Sequence, residues 1–290
     1  MQNSSITVVC PLYNGRKYVE YLNTEINKQI NINIIDVLYI ITKTNDGTEE
    51  YLESIGAKYK SIDKDDFSYS LTRELILKEW VTTEKVIMIS QDIKFVNNEV
   101  FSHLVKAIDT EGVAYAFSRQ IADNNSIEKY IRKNNYPMES YCISSNDIQR
   151  LGLKAFFASD VCCIINRDVF IKLNGYDQQN IPMNQEMYYS KKLLENGYKI
   201  MYCADSKIIH YHNYTLKELD KRYFLVGQFF AQYPEFKKYK AESTGLKLAF
   251  KVFFSALFDF NLPVVFRAFP DMLTRYMAKR RGEKSINEKQ

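Results

Sequence analysis

Short apolar runs that alternate with helically spaced stretches constrain this chain more than any other feature of its sequence. Ser5–Cys10 (SITVVC), Ile34–Thr42 (IIDVLYIIT), Ala57–Ile62, Val86–Ile89 and Val113–Phe117 all have strand length. Between them, Lys17–Gln29, Glu49–Ile55, Ser70–Trp80 and Asn98–Ile108 read as helices. A run such as VIMI is apolar on both sides of the pleat and needs cover on both. Strand–helix alternation supplies that cover, so the expected fold is α/β, a mostly parallel central sheet flanked by helices. In open sheets of this kind ligands sit beyond the carboxyl ends of the strands. The Val86 run ends there on Ser90-Gln91-Asp92. Asp92 is thus placed to hold a divalent cation against a diphosphate, although taken alone it reads equally well as an Asp capping the next turn.

Beyond Phe117 the pattern loosens. Ser118 to about Lys154 is polar and rich in Asn and Tyr, without a sustained period, and reads as a long functional loop. Order returns with a strand in Ala158–Ile165, a helix from Asp168 to Leu173 and the turn Asn174-Gly175-Tyr176-Asp177. A helix over Gln185–Asn196, short strands at Lys199–Cys203 and Lys207–His210, and a helix over Thr215–Gln232 follow. We expect one domain over residues 1–240, with a nucleotide half to about 120 and an acceptor half from about 121, and a distinct region over 241–290.

Charge separates that last region from the rest. The net charge is +4, but from Leu246 onward there are nine Lys/Arg against four Asp/Glu, which leaves the preceding residues at −1. A near-neutral body argues against a nucleic-acid partner, whose binding groove would carry the basic excess. The tail is rich in Phe and Leu, is broken by Lys251, Asp259 and Arg267, and lacks the roughly 20 uninterrupted apolar residues of a spanning helix. An amphipathic anchor on the anionic cytoplasmic face of a membrane is the expectation, with a helical hairpin packed on the body or on a second subunit as the alternative. Five cysteines without paired spacing, and no leader-like opening, suit a cytoplasmic chain.

Several motifs together resemble the inverting glycosyltransferases of family 2, with their A-type (GT-A, Rossmann-like) fold. Val8-Val9-Cys10-Pro11-Leu12-Tyr13-Asn14-Gly15 is similar to that family's first strand and turn. The likeness implies that Pro11, Tyr13 and Asn14 lie against the nucleotide. Thr42-Lys43-Thr44-Asn45-Asp46-Gly47-Thr48 resembles the second-strand motif, implicating Thr42, Thr44 and Asp46. Within the family the likeness is to bacterial rhamnosyltransferases of cell-wall and capsular polysaccharides. Phe67-Ser68-Tyr69-Ser70-Leu71-Thr72-Arg73 would turn Thr72 and Arg73 to the donor. Ser90-Gln91-Asp92 resembles the metal motif, and Arg119-Gln120 follows the fifth strand as it does in those enzymes. The resemblance covers about Ile6 to Pro234 and implies a nucleoside-diphosphate sugar donor, dTDP-L-rhamnose by likeness, and a divalent cation, Mn or Mg. It also implies a lipid-linked or growing polysaccharide as acceptor.

An inverting transfer needs one base for the acceptor hydroxyl and cationic groups for the departing diphosphate. Glu186, in Asn184-Gln185-Glu186-Met187, matches the position of the family's base, where Asp is usual. Asp160 is the rival. His210 and His212, two of three histidines, share a face by strand alternation, and with Asp92 they make the expected oxygen and nitrogen metal site, His210 as the favoured ligand and His212 as its neighbour on the diphosphate. Arg222 is placed as a phosphate clamp, or else lies on a solvated helix face. The alternatives are a transferase for another donor such as a UDP-sugar, a non-catalytic glycan- or nucleotide-binding relative, and, more distantly, a two-carboxylate glycosidase.

Overall fold

The first strand, β1 (Ser5–Leu12), is buried along almost its whole length and lies inside a sheet, not at its edge, as a run without polar alternation requires. The computed structural model describes residues 5–239 and 245–287. After β1 come α1 (Arg16–Asn27), β2 (Asn33–Thr42), α2 (Thr48–Ser54), β3 (Lys58–Ile62), α3 (Tyr69–Leu75), β4 (Lys85–Ile89), β5 (Lys94–Phe95) and α4 (Val100–Ile108). β6 (Val113–Ile121), α5 (Ile127–Asn135), β7 (Tyr141–Ile143), α6 (Ile148–Leu151), β8 (Cys162–Asn166), α7 (Arg167–Lys172), α8 (Gln185–Glu195) and β9 (Lys199–Ile209) follow. The chain closes with α9 (Leu216–Gln232), α10 (Gly245–Phe258) and α11 (Leu262–Asn287).

The strands form one sheet in the order β3-β2-β1-β4-β8-β6-β9-β5, with β7 also on β9. β1 to β4 pair in parallel, as do β6 and β9, while β8 runs antiparallel between β4 and β6. Neighbouring residues of a strand divide between two cores: Val9 and Met88 face one, Val8 and Ile87 the other. The sheet is therefore covered on both faces.

Two expectations are corrected in detail. The stretch 118–154 is not an irregular loop, since it carries the end of β6, α5, β7 and α6. Ser126 caps α5 by accepting from the Glu128 N–H, and Ile127, Tyr130 and Ile131 present one apolar stripe. That stripe packs against α10 and α11, so its partner lies more than a hundred residues away in sequence. The two short strands at 199–210 are a single strand, β9. Ser118 pairs with Cys203 and Arg119 with Lys207, so Ala204–Ser206 are accommodated as a bulge.

One face of the C-terminal hairpin packs on the body. α11 lies against α9 at a mutual glycine crossing: a Cβ on Gly227 would stand 2.0 Å from the Lys279 carbonyl oxygen, and one on Gly282 1.9 Å from that of Phe224. Arg281 adds two 2.6 Å bonds to the Asp220 carboxylate, and Arg275 donates to the Tyr223 hydroxyl and to buried Asp271. The other face is apolar and solvent-facing, with Phe258, Phe260 and Phe266 exposed at 80%, 89% and 78%. No helix among the described residues is long and apolar enough to cross a membrane.

Candidate active site

Strand direction gathers the chemistry at one edge of the sheet. β4, β6 and β9 all point the same way, and β8 opposes them. Their carboxyl ends therefore meet the amino end of β8. Asp92 follows β4, Gln120 lies at the end of β6, Asp160 precedes β8 and His210 follows β9.

Asp92, His210 and His212 come together there, with one ligand atom from each lying within 4.8 Å of the other two. His210 Nε2 is 3.6 Å from Asp92 Oδ1, and His212 Nε2 is 3.6 Å from Asp92 Oδ2. Burial, with Arg132, His212 and Arg222 adding to it, pushes the His210 pKa down to about 2, so the ring is neutral. Its tautomer follows from Gln120. The Gln120 amide nitrogen donates to the Tyr136 hydroxyl and to Ser159 Oγ, each at 2.6 Å, which leaves Oε1 as the acceptor. His210 Nδ1–H donates to that oxygen at 2.9 Å, and Arg132 donates to it as well. The Nε2 lone pair is consequently turned on an Asp92 carboxylate oxygen. Burial also lowers the His212 pKa, against the pull of Asp92. Two imidazole nitrogens and a carboxylate oxygen facing one another fit a divalent cation, and the Gln120 bond to His210 is the orienting contact such a histidine requires.

A cleft of about 510 Å³ opens beside this cluster, lined by Pro11, Tyr13, Thr42, Arg73, Gln91 and Asp92 among others. Its volume suits a small-molecule ligand. Gln91 forms a reciprocal pair with the turn after β1, accepting from the Tyr13 N–H and donating to the Tyr13 carbonyl, both at 2.9 Å. Asn14 takes a positive φ of 48°, which Asn tolerates, and turns the chain into α1. Lys64 and Tyr69 also line the cleft, and the Lys64 ammonium lies 5.7 Å from the Tyr13 ring centroid.

Two carboxylates sit nearby in contrasting states. Asp160 is buried and accepts from the Tyr115 hydroxyl at 2.6 Å and from Gln185 Nε2 at 2.8 Å, while Arg73 Nε lies 3.3 Å away. Its oxygens are occupied. Glu186 is only partly buried, and among the described residues its one hydrogen bond comes from its own N–H. Desolvation, and then Asp160, push its pKa up to about 7, the value best suited to a general base near neutral pH. Asn184, left-handed at φ 63°, begins α8 and presents Gln185 to Asp160 and Glu186 to the open side.

Of the remaining candidates, Arg222 lies near enough to help lower the His210 pKa. Asp46 accepts from the Arg16 N–H, the Thr44 hydroxyl, and the Thr48 N–H and hydroxyl. Burial raises its pKa, but these bonds prevail and hold it below the usual carboxylate value. Thr44 and Asp46 thus organise the turn before α2. The Thr72 hydroxyl accepts from the Ser68 N–H, and Arg119 donates to Met138 Sδ at 2.6 Å. Arg222 is exposed, with its guanidinium 5.8 Å from the Tyr214 ring centroid and no hydrogen-bond or ion-pair partner among the described residues. Lys64 was not named from the sequence, and Gln120 was named only within the Arg119-Gln120 match, without a role.

Comparison with known proteins places this arrangement. A mannosyltransferase of Pyrobaculum calidifontis, solved with GDP-Man and Mn2+, superposes with a TM-score of 0.64 at 12% identity, over 96% of this chain and 86% of that one. S. aureus TarS residues 1–349 give 0.56 at 14%, over 99% and 92%. The fold is that of the A-type glycosyltransferases. In sequence, the chain is 30% identical over 233 residues to the O-antigen chain rhamnosyltransferase RfbN of Salmonella typhimurium, covering 79% of this chain and 73% of that one. It is 28% identical over 237 residues, with the same coverage, to the O-antigen chain rhamnosyltransferase WbaN of Salmonella anatum. No model of a known protein family matches the sequence. The chain belongs to the family of these O-antigen chain rhamnosyltransferases, and it is a glycosyltransferase.

Proposed function

We propose that this glycosyltransferase is inverting and metal-dependent, and that it moves L-rhamnose from dTDP-L-rhamnose onto a lipid-linked or growing polysaccharide. The observation that carries the reading is the meeting of Asp92, His210 and His212 beside a cleft and an uncommitted carboxylate with a pKa of about 7. The rhamnosyl donor rests on the two Salmonella relatives.

The nucleotide lies in the cleft against the Pro11–Asn14 turn, with Thr42 at its floor and Lys64 and Arg73 at its wall. Asp92, His210 and His212 hold Mn2+ or Mg2+, which when bound supplies positive charge against the donor diphosphate. Arg222, free of a protein partner, adds charge from α9. Glu186 accepts the proton of the acceptor hydroxyl as that oxygen bonds to the anomeric carbon and the bond to the diphosphate breaks. One displacement inverts the centre, and no covalent enzyme intermediate forms. Asp160 orients Arg73 and Gln185 and is not the base. The exposed Phe258, Phe260 and Phe266, with the basic end of α11, hold the protein at the cytoplasmic face of a membrane.

A panel of nucleoside diphosphates with Mn2+ or Mg2+ tests the donor reading. We expect dTDP or UDP to raise the melting temperature, and Asp92→Asn to remove the metal-dependent part of that rise. Stabilisation by GDP alone overturns the donor assignment.

A further inference from the structure

Gln120 decides which nitrogen of His210 carries the proton, and its amide has two orientations to choose from. In the structure Oε1 faces both His210 Nδ1, at 2.9 Å, and the Arg132 guanidinium, while Nε2 meets the Tyr136 hydroxyl and Ser159 Oγ at 2.6 Å each. Turned over, the amide would offer its nitrogen to His210 Nδ1, which would then accept, and the ring proton would sit on Nε2. The two hydroxyls do not choose between these states, because a hydroxyl both donates and accepts. Asp92 favours the second, since its Oδ1 lies 3.6 Å from His210 Nε2 and a carboxylate only accepts. That state would put a proton on the nitrogen that faces the cation position.

Arg132 is the group that opposes it. A guanidinium has donors and no acceptor, so an amide nitrogen turned toward Arg132 would set N–H against N–H. Gln120 and His210 are both buried, and water does not relieve such a conflict there. Arg132, on α5, is itself held in place. Its Nε lies 3.4 Å from Oε2 of buried Glu128, one helical turn earlier, and Glu128 Oε1 accepts from Arg275 Nη2 at 3.3 Å. Arg275 belongs to α11 and also donates to Asp271 and, at 2.5 Å, to the Tyr223 hydroxyl. A continuous line of polar contacts thus runs from the C-terminal hairpin through Glu128, Arg132 and Gln120 to His210.

We propose that Arg132 is a positioning residue: by fixing the Gln120 amide it holds His210 in its Nδ1–H tautomer, and Glu128, with Arg275 of the hairpin behind it, holds Arg132 to that orientation. The consequence for the cation rests on the reading of Asp92, His210 and His212 as its ligands, whereas the tautomer does not. Charge alone argues the other way. A guanidinium close enough to depress the His210 pKa would also repel a cation, so its place here is explained by geometry and not by attraction.

The full chain, free of metal and labelled with nitrogen-15 at histidine, reports the tautomer by NMR, and with three histidines its signals are assignable. In the wild type we expect a proton on His210 Nδ1 and a bare Nε2. Arg132→Met should move the proton to Nε2 and weaken Mn2+ binding, measured by calorimetry, by at least about tenfold. A role in charge alone predicts the opposite sign, and tighter Mn2+ binding on loss of the guanidinium overturns the proposal. So does a wild-type tautomer in Arg132→Met. Glu128→Gln keeps the shape of its side chain, and therefore the fold, and should populate both tautomers; where Arg132→Met does not fold, an unmoved tautomer in Glu128→Gln overturns the proposal by itself. Arg275→Gln should act in the same direction to a smaller extent, and no change there takes the hairpin out of the line. Failure of the metal reading would show separately, as a wild type that binds no Mn2+ while Arg132→Met still switches the tautomer.

Discussion

The catalytic edge of the sheet and the C-terminal hairpin are built on opposite rules. At the edge, polar side chains are drawn out of water and held by named partners, as Gln120 is by Tyr136, Ser159, Arg132 and His210. On the hairpin, large apolar rings are left in water while the opposite face is locked down by glycines and arginines. A protein gains nothing in stability from exposed phenylalanines, so their retention points outward, to something they meet. Under the proposed function the edge is the part that acts and the hairpin the part that attaches.

Six substitutions probe that contrast, beginning with the largest expected effect. Glu186→Gln should lower kcat by about 10²–10⁴ while dTDP binding survives, because a base is lost and the cleft is not. In the wild type, kcat/KM should climb as pH rises through about 7, since Glu186 works only after losing its proton. A rate that is flat across this range removes Glu186 from the chemistry. Gln120→Ala should weaken Mn2+ binding by about 10–100-fold, measured by calorimetry, because His210 loses the contact that fixes its tautomer. Unchanged metal affinity would mean that the edge does not depend on its partners.

On the hairpin the same test has two outcomes. Gly227→Ala forces a methyl group onto the Lys279 carbonyl and should cost about 1–3 kcal/mol in chemical denaturation, the usual penalty of overpacking. Phe258→Ser, Phe260→Ser and Phe266→Ser should each change stability by less than about 0.5 kcal/mol. Together they should sharply reduce sedimentation with anionic vesicles. Substantial unfolding by the serine changes would show that the exposed face supports the fold after all.

The alternation of apolar runs made the sheet and its flanking helices legible before any coordinates, because burial on both faces leaves few other arrangements. The direction of β8 was not legible. An apolar strand reads the same in either sense, and only the path of the chain through 118–161 decides it. α5 was overlooked because its short stripe, Ile127, Tyr130 and Ile131, is covered by α10 and α11, and local periodicity carries no trace of that distant cover. The proximity of Asp92, His210 and His212 was readable from strand ends, since parallel strands deliver such residues to one edge. The sequence favoured Glu186 over Asp160 only through resemblance, and the physical contrast between them was not readable. It turns on Tyr115, Gln185 and Arg73, which come from three separate elements to occupy Asp160.

The Gln91 amide, which closes both backbone groups of Tyr13, would also bind two ligands into one system under the proposed function. The turn proposed to receive the nucleotide is fastened to the residue immediately before Asp92, so a shift of one is a shift of the other. Thermodynamic reciprocity then applies: by whatever factor the nucleotide tightens the hold on the cation, the cation tightens the hold on the nucleotide. Gln91→Ala should weaken that reciprocal tightening, leaving the direct attraction between cation and diphosphate as the coupling that calorimetry still reads.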